Sequence, residues 1–171
     1  MGGDTLDWDA LRQNGATLFI IQGFIASGKS TLARSVSAGT GALHFDADAY
    51  CLANFSAEEL ADWDRCFADA VAHLWRETGD VLLSGQSVVL DFGFWTKQSR
   101  DYAREQARRL DVPFIHIYVT ASDDVLLERM KLRSGALAAR NLGQFASLKA
   151  SFEPPTPDET ALVVSTYAGR F

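Results

Sequence analysis

Gly23-Phe24-Ile25-Ala26-Ser27-Gly28-Lys29-Ser30-Thr31 decides how this chain is read. Before it stands Thr17-Leu18-Phe19-Ile20-Ile21, a short apolar run rich in β-formers, which predicts a buried strand. After it, the residues from Lys29 to Ser37 predict a helix, ended by Gly39 and Gly41. The run between them has the spacing G-x-x-x-x-G-K-[ST], and each position has a physical task. Gly23 and Gly28 let the backbone turn tightly, so that its N–H groups converge on phosphate oxygens. The helix that follows turns its partial positive charge towards the same anion. Lys29 supplies a mobile positive charge to the outer phosphates, and Ser30 offers a hydroxyl to Mg²⁺. Gly23, Ala26, Ser27, Gly28, Lys29, Ser30 and Thr31 are therefore the expected contacts of a bound nucleoside triphosphate, taken as ATP with Mg²⁺.

Working outward, strands and helices alternate. Leu43-His44-Phe45, Ser87-Val88-Val89-Leu90, residues 113–119 and Ala161-Leu162-Val163-Val164 read as further strands. Ser56-Ala57-Glu58-Glu59 has capping-box spacing and predicts a helix start. Trp63, Phe67, Val71, Leu74 and Trp75 follow at helical intervals, as one core-facing stripe. Residues 97–110, 122–133 and 141–152 read as helices, the second with Asp123 and Asp124 where the helix dipole favours them. Pro154, Pro155 and Pro157 impose an extended loop. The alternation argues for an α/β, three-layer fold, a parallel sheet covered on both faces, in a single domain over residues 1–171.

Ligands of such sheets sit beyond the carboxyl ends of the strands. Asp46 and Asp48 follow the second strand there. Asp48 is the expected base for a substrate hydroxyl, and Asp46 a metal or substrate contact. Asp91 closes the strand Val88-Val89-Leu90 and is expected to hold Mg²⁺ together with Ser30, or else to contact the acceptor. Phe94 and Trp95, just past Asp91, are candidate walls of an acceptor pocket. Arg129 and Arg133 share a helical face, and Arg140 follows Ser134-Gly135, a candidate hinge. On a movable lid, at roughly residues 129–142, their guanidinium groups would neutralise charge on a transferring phosphoryl group. Arg100 remains open as a substrate contact. His44, His73 and His116 read as ordinary core or surface histidines.

Bulk properties narrow the partners. Of 171 residues, 47% are hydrophobic and 22% charged, which suits a globular core. The net charge of −6 and a pI near 5.0 disfavour nucleic acid as a partner. No apolar run approaches the ~20 residues of a membrane helix, and the acidic start MGGDTLDWDA carries no signal core, so a cytoplasmic protein is expected. Cys51 and Cys66 have neither metal-like nor redox-like spacing and are expected to be reduced thiols.

Taken together, GFIASGKST, FDADAY, SVVLDFGF with TKQSRDYAREQARRL, ERMKLRSGALAARN and FEPPTPDE before ALVVST resemble the small P-loop kinases of the nucleoside-kinase-like group. The resemblance is to the AAA_33-type ATP-binding proteins, a subset similar to chloramphenicol phosphotransferase, zeta toxin and the kinase domain of polynucleotide kinase. It implies a five-stranded parallel sheet with the P-loop strand central and a helical lid. It also implies transfer of the ATP γ-phosphate to a hydroxyl acceptor, with Asp48 as base, Asp91 as the Walker B-like carboxylate, and Arg129, Arg133 and Arg140 in the lid segment. The acceptors it suggests are an antibiotic, a sugar-like metabolite or a nucleotide-sugar. A polynucleotide 5′-hydroxyl, or an ATP-binding regulatory role without transfer, are the alternatives. The sequence departs from the group at Phe24-Ile25-Ala26, where smaller residues and Pro are common, and at the aromatic run Phe92-Gly93-Phe94-Trp95.

Overall fold

The computed structural model describes Leu11 and residues 15–167. Its first strand, β1 (Leu18–Gly23), is buried along its whole length, as expected for a strand with layers on both faces. Helix α1 (Lys29–Thr40) follows directly and ends at Gly41, whose φ of 78° is the left-handed conformation that closes many helices. Then come β2 (Leu43–Asp46), α2 (Ala47–Asn54), the long α3 (Trp63–Leu83) and β3 (Val88–Gly93). After these lie α4 (Lys97–Arg109), β4 (Phe114–Thr120), α5 (Asp123–Lys131), α6 (Ala136–Gly143), α7 (Phe145–Ala150) and β5 (Leu162–Ser165).

The five strands form one parallel sheet in the order β2-β3-β1-β4-β5, with the P-loop strand at the centre. Successive residues of β1 serve opposite cores. Leu18 and Ile20 pack with Val88, Leu90, Leu74 and Ala103 beneath α3 and α4. Phe19 and Ile21 pack with Val89, Val119, Leu32 and Val36 beneath α1. That two-period division is what a fully buried parallel strand requires.

Four expectations are corrected. Ser56 and Glu59 do bond reciprocally, through Glu59 N–H to Ser56 Oγ (3.3 Å) and Ser56 N–H to Glu59 Oε2 (2.8 Å). They close only a single 3₁₀ turn, Glu59–Ala61, and α3 starts afresh on Asp62, whose carboxylate accepts the Arg65 N–H at 3.3 Å. The helix expected over residues 141–152 is instead α6 and α7, which meet at Gln144. Asp91 lies inside β3 rather than at its end. The aromatic stripe of α3 divides: Leu74 enters the core, with Cys66, Ala70 and Leu82 completing that buried face, whereas Trp63, Phe67, Val71 and Trp75 line a cavity. Cys51 and Cys66 are buried free thiols, and burial, followed by the charge of Asp48, pushes Cys51 up to about 11.

Candidate functional site

The P-loop joins β1 to α1. Gly28, the residue before α1, has φ 102° and no side chain to cap the helix. The first bond of the α1 ladder runs from Leu32 N–H to the Gly28 carbonyl at 3.1 Å. The amides of Lys29, Ser30 and Thr31 therefore lie in the turn where a helix has no internal acceptors, which is where an anion is held. A Cβ at Gly23 would meet Ser27 Oγ, and the Val119 carbonyl at 3.0 Å, so a side chain here would force the loop to shift. Ala26 has a φ of 65°, unusual for a non-glycine residue and a mark of a constrained site. Ser27 serves the loop from within: its N–H donates to the Phe24 carbonyl at 3.1 Å, which closes the turn.

Phe24, the bulky residue of the loop, is an anchor. Its ring stacks on Trp95 with centroids 5.2 Å apart and meets Phe145 and Phe152 edge-on at 5.6 and 5.7 Å. Lys149 of α7 lies over the same ring, 5.1 Å from its centroid. The P-loop, the segment just after β3 and the α7 region, which follows the expected lid, thus share one aromatic cluster.

Asp91 and Asp46 stand opposite each other on adjacent strands. Around Asp91, β3 carries one extra residue relative to β1, since Ile20 pairs with Leu90 but Gln22 with Gly93. Such bulges re-aim side chains near sites. Lys29 Nζ lies 3.5 Å from Asp91 Oδ1, and His44 Nε2 lies 3.9 Å from Asp91 Oδ2. Burial alone would push the Asp91 carboxyl up; His44, Lys29 and Ser30 outweigh it and hold the group below its ordinary value. At 3.9 Å the His44 contact is too long for a good hydrogen bond, and both Asp91 oxygens are without a hydrogen-bond partner among the described residues. An anionic, unsatisfied, buried carboxylate beside a P-loop serine suits a divalent cation. Asp46 also caps α2, with Oδ1 accepting the Ala49 N–H at 3.0 Å.

Asp48 lines a cavity of about 1080 Å³ together with Lys29 and Asp91. Its side chain is reached by solvent, yet it stands against enough protein for desolvation to matter. That partial burial raises its carboxyl, and the neighbouring Asp46 and Asp91 raise it further, against the pull of Lys29 and Arg133. Trp63, Phe67, Trp75, Phe94, Trp95 and Tyr102 line the same cavity. Phe94 has a φ of 47° and stacks on Phe92 at 5.6 Å.

The arginines separate. Arg100 is 0% exposed and holds Glu159 in a two-pronged pair, Nε to Oε1 at 2.6 Å and an Nη to Oε2 at 2.9 Å. Its remaining donors reach the carbonyls of Phe94 (3.1 Å) and Glu153 (3.0 Å). It does not open onto the cavity, so the substrate contact expected of it is replaced by a structural one. Arg129 belongs to α5 and donates to the Ala26 and Ser27 carbonyls, both at 3.2 Å, and to Thr166 Oγ1 at 3.0 Å. Those contacts make it a brace behind the P-loop. Arg133 is exposed yet close enough to Asp48 to affect its charge. Arg140 lines the cavity and meets Asp64 across it at 3.4 Å, and Gly135, with φ 98°, begins its helix. His44 is the site residue that single-sequence reasoning passed over. Its only advance signal was its place two residues before Asp46, on the same strand face.

Comparison with known proteins agrees with the fold. The AAA_33 family, described as "AAA domain", matches residues 18–155. No curated protein sequence matches the chain. Among solved structures, an unliganded sugar kinase from Janibacter sp. HTCC2649 is 23% identical with a TM-score of 0.66, covering 88% of this chain and 85% of that one. A gluconokinase from Sinorhizobium meliloti 1021 is 21% identical with a TM-score of 0.62, covering 90% and 83%. Chaetomium thermophilum Kti12, in complex with ADP-AlF3, is 20% identical with a TM-score of 0.62, covering 89% of each. At these identities the likeness is one of fold, and the fold is that of the P-loop kinases.

Proposed function

This chain belongs to the AAA_33 family, and on that premise we propose that it is a kinase transferring the γ-phosphate of ATP to a hydroxyl of a small, ring-bearing molecule. One observation carries the reading: Asp48, Lys29 and Asp91 open onto the same cavity as an aromatic wall. The uncapped start of α1 and the Lys29 ammonium bind the phosphates. Ser30 and Asp91 are the residues that would hold Mg²⁺, which when bound supplies charge neutralisation on the phosphate oxygens. Asp48 takes the proton of the acceptor hydroxyl as its oxygen bonds to the γ-phosphorus. The bond from that phosphorus to the bridging oxygen breaks, and ADP leaves. Arg140 and Arg133 approach the transferring group when the lid segment closes. The aromatic side chains lining the cavity favour a ring compound that can stack against them.

Asp48→Asn tests the assignment. With acceptors screened for an ATP-dependent mass gain of one phosphate, the wild type should phosphorylate an aryl or polycyclic alcohol better than a hexose. The variant should lose about 10²–10⁴-fold in kcat with nucleotide affinity retained. Unchanged turnover removes Asp48 as the base. Nucleotide binding without turnover on any hydroxyl compound would favour a regulatory role, and salt-sensitive labelling of a polynucleotide 5′-hydroxyl would move the acceptor to nucleic acid.

A further inference from the structure

The carboxyl edge of β2 and β3 gathers more than the usual oxygen donors. Asp46 faces Asp91 in parallel register, and His44, two residues before Asp46, lies on the same face of β2. One donor atom from each of His44, Asp46 and Asp91 comes within 4.8 Å of the other two. Asp91 is 2% exposed, yet neither of its oxygens has a hydrogen-bond partner among the described residues, and the buried His44 Nε2 has none either. Three unsatisfied polar atoms in one recess are costly unless something else completes them. The Lys29 ammonium, 3.5 Å from Asp91, does so only in part. It sits on a flexible four-carbon stem and is free to turn towards a phosphate.

We propose that His44, Asp46 and Asp91 together hold a first-row transition-metal ion, with the His44 Nε2 as a direct ligand. Mg²⁺ takes oxygen donors almost exclusively, whereas Mn²⁺, Co²⁺ and Zn²⁺ accept imidazole beside carboxylate. The donor set therefore widens the ions this edge accepts beyond the Mg²⁺ that Ser30 and Asp91 would hold. Asp46 has one oxygen on the α2 amide and leaves the other for the ion. The ion's place beside the phosphates rests on the kinase reading; the donor cluster itself does not.

The test is a Mn²⁺ titration of the nucleotide-free protein, followed by the loss of the free-ion paramagnetic signal. A pulsed measurement on protein carrying ¹⁵N-labelled histidine then reads the coupling of the bound ion to nitrogen. The wild type should bind one Mn²⁺ with a ¹⁵N coupling. His44→Gln should weaken binding by at least about tenfold and abolish the coupling. His44→Asp keeps a donor atom and guards against mere misfolding: it should bind Mn²⁺ without nitrogen coupling. Lys29→Met should tighten binding by removing the competing ammonium. No Mn²⁺ binding to the wild type, or bound Mn²⁺ lacking nitrogen coupling, overturns the proposal. A nucleotide-induced rise in melting temperature, measured without Mn²⁺, tests the kinase reading separately, so either idea can fail alone.

Discussion

His116 sits in the middle of β4 with Nε2 2.8 Å from Gln22 Oε1, while Gln22 Nε2 donates to the Glu153 carbonyl at 2.8 Å. Burial, followed by the positive charge of Arg100, pushes the ring down to about 4 from an ordinary 6.5. The folded protein therefore keeps His116 neutral where the unfolded chain protonates it. A depressed histidine contributes stability that is whole above the unfolded value and declines as pH falls towards the folded one. Between pH 6.5 and pH 4 the wild type should lose up to about 3 kcal/mol that His116→Gln does not lose, measured as the difference between urea unfolding curves. The residue scale is also where the sequence was least legible. Gly23, Gly28, Lys29 and Ser30 declared themselves because their chemistry is written in contiguous spacing. His44 did not, because its neighbour Asp91 is 47 positions away and the two meet only through the pairing of β2 with β3.

At the scale of elements, Arg100 is the tie between α4, the end of β3 and the loop after α7. It pairs with Glu159 across 59 positions, and Thr156 adds its N–H (2.8 Å) and hydroxyl (3.0 Å) to the same Glu159 oxygen. The Arg100 hydrogen bonds, despite the burial that opposes them, hold the Glu159 carboxyl down to about 2. Removing one partner strands a buried charge, so Arg100→Met should cost about 3–5 kcal/mol in chemical denaturation. Glu159→Gln should cost a similar amount, and a double variant Arg100→Met, Glu159→Met much less than the sum. The strands and the longer helices were readable from the sequence in their order, because the apolar periodicities are local; the short α2 after β2 was not. Element ends were not readable either: the Ser56 cap fixed a turn but not the helix length, and Gly143, the local sign of the split at Gln144, is a residue that helices also tolerate in their interior. Arg100 was misplaced for a related reason, since nothing within its own helix points to Glu159.

For the whole molecule, the P-loop reading has a thermodynamic consequence. A ligand that binds only the folded chain stabilises it by about 2.7 kcal/mol at one hundred times its dissociation constant. For a domain of this size, ATP at that excess should raise the melting temperature by roughly 5–10 °C. Gly23→Ala, whose methyl group runs into Ser27 Oγ and the Val119 carbonyl, should abolish the rise. Fold class was the most legible property of all, because a strand, a glycine-rich turn and a helix in sequence leave few other architectures.

The position of β1 at the centre of the sheet also bears on synthesis. One flank of Leu18 is met by Val88 and the other by Phe114. At the usual pace of translation, the nascent chain must wait on the order of 5–20 s after β1 is made before β4 exists to cover it. Throughout that interval a strand that is greasy on both sides waits uncovered, so delivery of this chain to its native state should depend on holdase chaperones far more than its modest size suggests.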